Sequence, residues 1–307
     1  MFNTVVDYFV YLIFRLLMFL LYIFPKKLVL KVLSSYAKLI LKHNELYRKV
    51  TLVNLGFAYP EKSVDERLVF IDKICEELAR TFYDVIRIPH LSKEWIEKHI
   101  SFESKNALNN KYSNKLPIIF VTGHLGSFEL LIYSCSLLKG NPISIVVRSF
   151  NNKFIDKYWN DIRQRYGSKV IKKDGAYKTT LKAIRNNNDI GFPFDQNMKK
   201  NDAVFVDFFG KKAATSKTLA VLALRHHIPV VFAYMKNLGN DKYAIKTKEC
   251  YYDDIYNNES LNHDEKIEAF TSRAMGIFEE HVREFPTGWF WMHRRWKTRP
   301  EGEERFY

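Results

Sequence analysis

The chain has 307 residues, 47% of them hydrophobic, and a formal net charge of +14. Such a length can bury one large core, and no Gly/Ser-rich or Pro-rich linker or internal repeat divides it. The charge favours anionic partners, while the scattered Cys75, Cys135 and Cys250 argue against a disulfide framework or a zinc site and fit a reducing compartment.

Val5 to Phe24 is an apolar run long enough to form about 30 Å of helix and cross a bilayer core, interrupted by Asp7 and Arg15. A lone Arg at mid-depth costs about 2.5 to 3.5 kcal/mol on insertion scales. The helix therefore either spans, lies in the interface with Arg15 reaching the head groups, or packs in the core. It lacks the basic start and small-residue cleavage site of a removed signal peptide. Pro25 ends the run, and Lys26, Lys27 and Lys31 follow at once, which places the body on the cytoplasmic side of a membrane. Residues 1–27 thus read as an anchor helix and 28–307 as one domain, with a helical part over 28–110 and an α/β core over 111–307.

Helices are expected over Leu28–Leu41, Arg48–Leu55 and Val64–Ile86, the last capped by Ser63, with a break at Tyr59-Pro60. From Pro117 onward strand and helix periods alternate. Strands are expected over Pro117–Val121, Pro142–Val147, Lys169–Ile171, Asp189–Phe194, Val204–Phe208, Pro229–Tyr234 and Tyr243–Thr247. Between and after them come helices over Asn152–Tyr166, Ala176–Asn186, Ser216–His226 and about Asp264–Arg283. The pattern predicts an α/β fold with a mixed, mostly parallel central sheet flanked by helices.

The stretch Leu116 to Leu130 organises the rest. Its apolar strand delivers His124 to a strand end, Gly123 and Gly126 punctuate a turn, and Phe128, Leu131, Ile132 and Cys135 then take helical spacing. Glu129 falls in the first turn of that helix, where a carboxylate is favoured. On one continuous helix His124 and Glu129 would point about 140° apart, so they converge only if the chain bends, which Gly126 permits. A histidine held by a carboxylate is a candidate general base. His263 and Glu268 have the same separation but lie in a charged run with no strand before them, and read as a solvated helix face.

Other candidates follow strand ends. Arg148 stands just past an apolar strand, as an anchor for a carboxyl, phosphate or thioester oxygen or as an exposed loop residue. Asp195 ends another strand and either positions an acceptor or caps its loop. Phe208 and Phe209 beside Gly210 line an acyl groove or pack in the core. The tail from Trp289 to Arg299 mixes Trp289, Trp291 and Trp296 with His293, Arg294, Arg295 and Lys297. That composition suits a membrane interface, a phosphorylated sugar or single-stranded nucleic acid. Nucleic-acid modules recognisable by spacing are not visible, so membrane and carrier partners are favoured.

Gly-His-Leu-Gly-Ser-Phe-Glu at 123–129 resembles the His-x4-Glu motif of the lipid A biosynthesis acyltransferases, the bacterial late acyltransferases within the wider glycerolipid acyltransferase superfamily. The resemblance covers nearly the whole chain. It includes Asn54-Leu55, Ala58-Tyr59-Pro60-Glu61, the Arg148 segment, Asp195-Gln196, Phe208-Phe209-Gly210 and Trp291 to Lys297. One departure is that the family usually has Asn and Trp where Ser127 and Phe128 stand.

The resemblance implies transfer of a fatty acyl chain from an acyl carrier protein, or from acyl coenzyme A, to lipid A or its precursor at the cytoplasmic face of the inner membrane. The thioester already activates the acyl group, so no metal or organic cofactor is needed. His124 would be the base, Glu129 would steady its imidazole, and Arg148 would bind substrate. An amide near Gly126, or Arg148, would face the oxyanion. The Ser127 and Phe128 departures leave a lysophospholipid or an aminolipid open as acceptor. The rival from another class is a non-enzymatic membrane protein that holds anionic lipid or nucleic acid through its basic tail. Such a protein has no use for an oriented imidazole.

Overall fold

The computed structural model describes residues 2–103, 117–172 and 176–307. Leu116, at the start of the organising stretch, and the expected boundary at 110/111 lie outside the described residues.

Helix α1 (Phe2–Ile23) is apolar but for a few polar residues, Asp7 and Arg15 among them, and its stretch Thr4–Ile23 has a mean hydropathy of 2.0 with none of it buried against the rest of the protein. Pro25 breaks the chain into α2 (Lys26–His43), followed by α3 (Glu45–Ala58), whose first turn is capped by Asn44. Helix α4 (Val64–Arg87) begins in a reciprocal capping box between Ser63 and Glu66. Its buried Ile71, Ile74, Cys75 and Ala79 recur every three to four residues, so α4 turns one stripe inward beneath α2 and α3. A short α5 (Lys93–His99) leads into the sheet.

Nine strands occur among the described residues: β1 (Ile100–Phe102), β2 (Ile119–Thr122), β3 (Ile143–Val147), β4 (Lys169–Lys172), β5 (Asp189–Pro193), β6 (Ala203–Phe208), β7 (Lys211–Ser216), β8 (Val230–Gly239) and β9 (Lys242–Glu249). The helices between and after them are α6 (Phe128–Lys139), α7 (Lys153–Gln164), α8 (Ala176–Arg185), α9 (Thr218–His226), α10 (Asp253–Tyr256) and α11 (His263–Glu284). The main sheet runs β1-β9-β8-β2-β5-β3-β4. Strands β8, β2, β5, β3 and β4 are parallel, and β9 returns antiparallel to β8 with β1 parallel to it. The fold is therefore α/β with a mixed, mostly parallel sheet between helices. Crossover helices cover both faces of the parallel strands, which is why β2 can be apolar at successive positions.

The β6–β7 hairpin was not expected as a pair, because Lys211–Ser216 is two lysines followed by small residues. Its turn, Phe209-Gly210, takes φ of 51° and 69°, the paired left-handed conformation of a tight hairpin.

From β2 the chain moves to one side through β3 and β4, returns to lie beside β2 as β5, and then crosses to the other side as β8. The carboxyl ends of β2, β5 and β8 flank the place where strand order reverses, the usual ligand crevice of such a sheet.

The tail departs from expectation. Trp289, Trp291, Trp296 and Arg295 are at most 1% exposed, so these four side chains are core and form no interfacial or phosphate-binding surface. Each indole finds an internal acceptor: Asp195 for Trp289, the Pro286 carbonyl for Trp291 and the Lys211 carbonyl for Trp296. Arg295 donates to the Ala214 carbonyl at 2.7 Å and to the Thr215 hydroxyl at 2.5 Å, and Asn54 fastens the tail through the Trp291 and His293 carbonyls. Of the two tail arginines expected to bind substrate, Arg294 and Arg295, only Arg294 is exposed.

Candidate active site

Parallel pairing of β2 with β5 sets Thr122 opposite Pro193, so two residues further on His124 and Asp195 leave the sheet side by side. Asp195 accepts the His124 backbone N–H at 2.8 Å, its Nδ1–H at 3.1 Å and the Trp289 indole N–H at 3.0 Å. A carboxylate only accepts, so Nδ1 carries the proton, and in the neutral imidazole Nε2 presents its lone pair. Gly123 makes this approach possible, since a Cβ there would lie 2.9 Å from the Asp195 carboxyl carbon. Burial alone would raise the Asp195 carboxyl, but the charge of His124 and the three donors hold it well below the usual carboxylate range. In return the Asp195 charge raises the imidazole above its ordinary value, against the opposing effect of burial.

The expected carboxylate was Glu129, and here the structure differs. Glu129 does stand in the first turn of α6, but it pairs with Arg163 of α7, which is 9% exposed and reaches it through both Nε, at 3.2 Å, and Nη2. The carboxylate on His124 is Asp195, from the neighbouring strand. Glu129 acts on the imidazole only as a more distant charge, again raising its pKa. With three donors on its buried carboxylate, Asp195 is also not free to hold a substrate.

Gly126 bends as expected, at φ 62°, and a Cβ there would lie 2.1 Å from the Met235 carbonyl oxygen. Its own amide is not available to an oxyanion, because it donates to the Gly288 carbonyl at 3.0 Å. The next two amides, of Ser127 and Phe128, donate to the carbonyls of Met235 and Gly126. Arg148 is exposed at the carboxyl end of β3, with β5 between it and β2. Gln196, which sequence reasoning named only as the neighbour of Asp195, brings its side-chain nitrogen to 3.5 Å from His124 Nε2. His293 accepts the Asn197 amide on its Nε2 at 3.0 Å, and burial lowers its pKa to about 4, so it is a neutral structural imidazole.

Beside His124 opens a cavity of about 200 Å³ with an almost wholly apolar wall. Ile74, Leu78, Phe82 and Val85 of α4 form one side, and Phe290 and Met292 of the tail contribute to the other. Phe128 meets the imidazole edge-on, with ring centres 4.9 Å apart. Phe209 does not line this cavity: it is buried, its amide donates to Glu279, and the Arg283 guanidinium covers its ring. An imidazole fixed through Nδ1 and lining an apolar slot can take a proton on Nε2 from a bound nucleophile.

The bacterial lipid A biosynthesis acyltransferase family matches residues 2–298. A lipid A biosynthesis acyltransferase of Haemophilus influenzae is 24% identical over 261 residues, covering 82% of this chain and 76% of the relative. The lipid A biosynthesis lauroyltransferase of Escherichia coli is 22% identical over 284 residues, covering 91% and 88%. The palmitoleoyltransferase of the same organism is 21% identical over 280 residues, covering 90% and 86%. Matched over nearly its whole length, the chain is an acyltransferase and belongs to the bacterial lipid A biosynthesis acyltransferase family.

Proposed function

We propose that the protein transfers a fatty acyl chain from an acyl thioester to a hydroxyl of lipid A or its precursor, at the cytoplasmic face of the inner membrane. The observation that carries this reading is the His124 imidazole, tied through Nδ1 to buried Asp195 and set in the lining of an apolar cavity. The acyl chain lies in that cavity with its thioester carbonyl at His124. Nε2 takes the acceptor proton as the hydroxyl oxygen attacks the carbonyl carbon. The tetrahedral oxyanion collapses, the carbon–sulfur bond breaks, and the thiolate leaves with the proton from the imidazolium. The thioester already activates the acyl group, so this step calls for no metal or organic cofactor. Asp195 fixes the tautomer and stabilises the imidazolium, while Gln196, with its side-chain nitrogen 3.5 Å from Nε2, and Arg148 are the candidates to meet the oxyanion or the donor.

An acyl carrier protein is the preferred donor, because it is acidic and this chain carries a net charge of +14. The unburied apolar α1 holds the enzyme at the bilayer where its acceptor resides. The experiment is to purify the full chain in detergent, supply labelled acyl carrier protein or acyl coenzyme A with a lipid A precursor, and analyse products by mass spectrometry. Acylated precursor that disappears with His124→Ala is the expected result. Full transfer by His124→Ala overturns the reading.

A further inference from the structure

We propose that Asp84 is a positioning residue of the transfer site, fixing the turn that presents His124 through the hydroxyl of Ser127. The inference rests on His124 being the base. Asp84 lies on α4 and is 3% exposed. One carboxyl oxygen accepts the Ser127 hydroxyl and the other accepts the Tyr243 hydroxyl of β9 at 2.5 Å. One turn earlier on α4, the Thr81 hydroxyl donates to the Gly126 carbonyl at 3.3 Å. The turn from His124 to Ser127 is thus held from three directions. Backbone contacts come from Met235 of β8 and from Gly288, and side-chain contacts come from α4.

The arrangement is costly unless it does something. Burial pushes the Asp84 carboxyl up to about 6, and the nearby cations do not bond it, since Lys26 and Arg87 are bonded to Asp241 at 2.7 and 2.9 Å. Packing alone would be served by an apolar residue of similar size. A carboxyl group instead accepts two hydroxyls at once, one from the catalytic turn and one from the sheet. Helix α4 also carries Ile74, Leu78 and Phe82, the wall of the cavity. The element that holds the acyl chain therefore also sets the height of the base above it, and Ser127 and Asp84 join the two.

The test uses the full chain in detergent and measures kcat, KM for the acyl thioester, and Tm for Ser127→Ala, Ser127→Thr, Asp84→Asn and the double variant Ser127→Ala/Asp84→Asn. Displacing a base without removing it lowers kcat by about 10- to 100-fold while KM stays within about twofold. Ser127→Thr, which keeps the hydroxyl, regains most of the rate. The double variant is no slower than the worse single variant, because both cut the same link. Wild-type kcat in Ser127→Ala with only a lower Tm, or losses that multiply in the double variant, overturns the proposal. If Asp84→Asn fails to fold, the Ser127 pair still decides. His124→Ala is measured alongside: if it stays active, both the base and this inference fall, whereas an inactive His124→Ala beside a wild-type Ser127→Ala removes this inference alone.

Discussion

His124 Nδ1 lies 3.1 Å from Oδ1 of Asp195, across 71 residues of chain. Strand order makes this contact. β2 and β5 are parallel neighbours in register, so residues leaving their carboxyl ends at equal height face each other. The same carboxylate holds the His124 backbone and the Trp289 indole, which fixes ring, turn and tail at a single point. A ring so held keeps one tautomer and one direction, and Nε2 needs no reorganisation before it takes a proton.

Asp195→Asn removes that charge while keeping the shape. The amide can offer an N–H where Nδ1–H now points, which favours the wrong tautomer and leaves Nε2 protonated. The kcat is expected to fall about 10²- to 10⁴-fold with little change in the KM of the acyl thioester, by analogy with other oriented imidazoles. Steady-state rates on purified protein, beside a thermal melt to show folding, provide the check. A rate within twofold of wild type would mean that the carboxylate is not needed to orient the base.

The same pair sets a pH dependence. Asp195 raises the His124 imidazole, so the acid limb of kcat/KM should lie above 6.5, the ordinary value for histidine. Asp195→Asn should move that limb to lower pH. Stability follows with opposite signs for the two partners. His124, with its folded pKa raised, contributes stability that is full below its unfolded value and lost as pH rises through the folded pKa. Asp195, with its carboxyl depressed, contributes stability present above the unfolded value of 3.8 and lost as pH falls toward the folded one. A Tm measured against pH should therefore decline at both ends in wild type, and depend less on pH in Asp195→Asn. Equal curves for the two proteins would show that the pair is not an ion pair in the folded state.

What could be read from the sequence was local. The strand before His124, the bend at Gly126 and the helix from Phe128 are short-range patterns, and each is present. The partner of His124 was not local. Glu129 is five residues away in sequence, but the first turn of α6 aims it at Arg163 on α7. Asp195 was visible as an aspartate closing a strand, yet only the return of β5 to lie beside β2 makes it a partner, and strand order is not written in strand composition. The tail misled for a related reason. Tryptophans among arginines look interfacial until the acceptors of their N–H groups are known, and acceptors such as Asp195, Lys211 and Ala214 come from distant segments.

Acyl chain length should respond to α4. Ile74 is 1% exposed and faces the cavity, so Ile74→Phe adds volume where the chain would lie. The preferred thioester is expected to shift by two or more carbons toward shorter chains. Ile74→Ala should tolerate longer ones, at a stability cost of about 2 to 5 kcal/mol. Competition among thioesters of graded length, with products weighed by mass spectrometry, reads the shift directly. An unchanged preference in both variants would place the chain elsewhere.

The Glu129–Arg163 pair separates bracing from chemistry. Both side chains are largely buried, at 13% and 10% exposure. Removing either partner leaves an unpaired buried charge, and Glu129→Leu and Arg163→Met should each lose about 3 to 5 kcal/mol. The double variant removes both charges and should recover most of that stability, because no ion is left without a partner. Its activity is the informative quantity. Glu129 does not hydrogen-bond His124 but its charge raises the imidazole pKa, so the double variant is expected to fold, to show an acid limb displaced to lower pH, and to retain kcat within about tenfold of wild type. A loss comparable to that of His124→Ala in a fully folded double variant would give Glu129 a part in acyl transfer that neither its bond to Arg163 nor its distant charge on His124 accounts for.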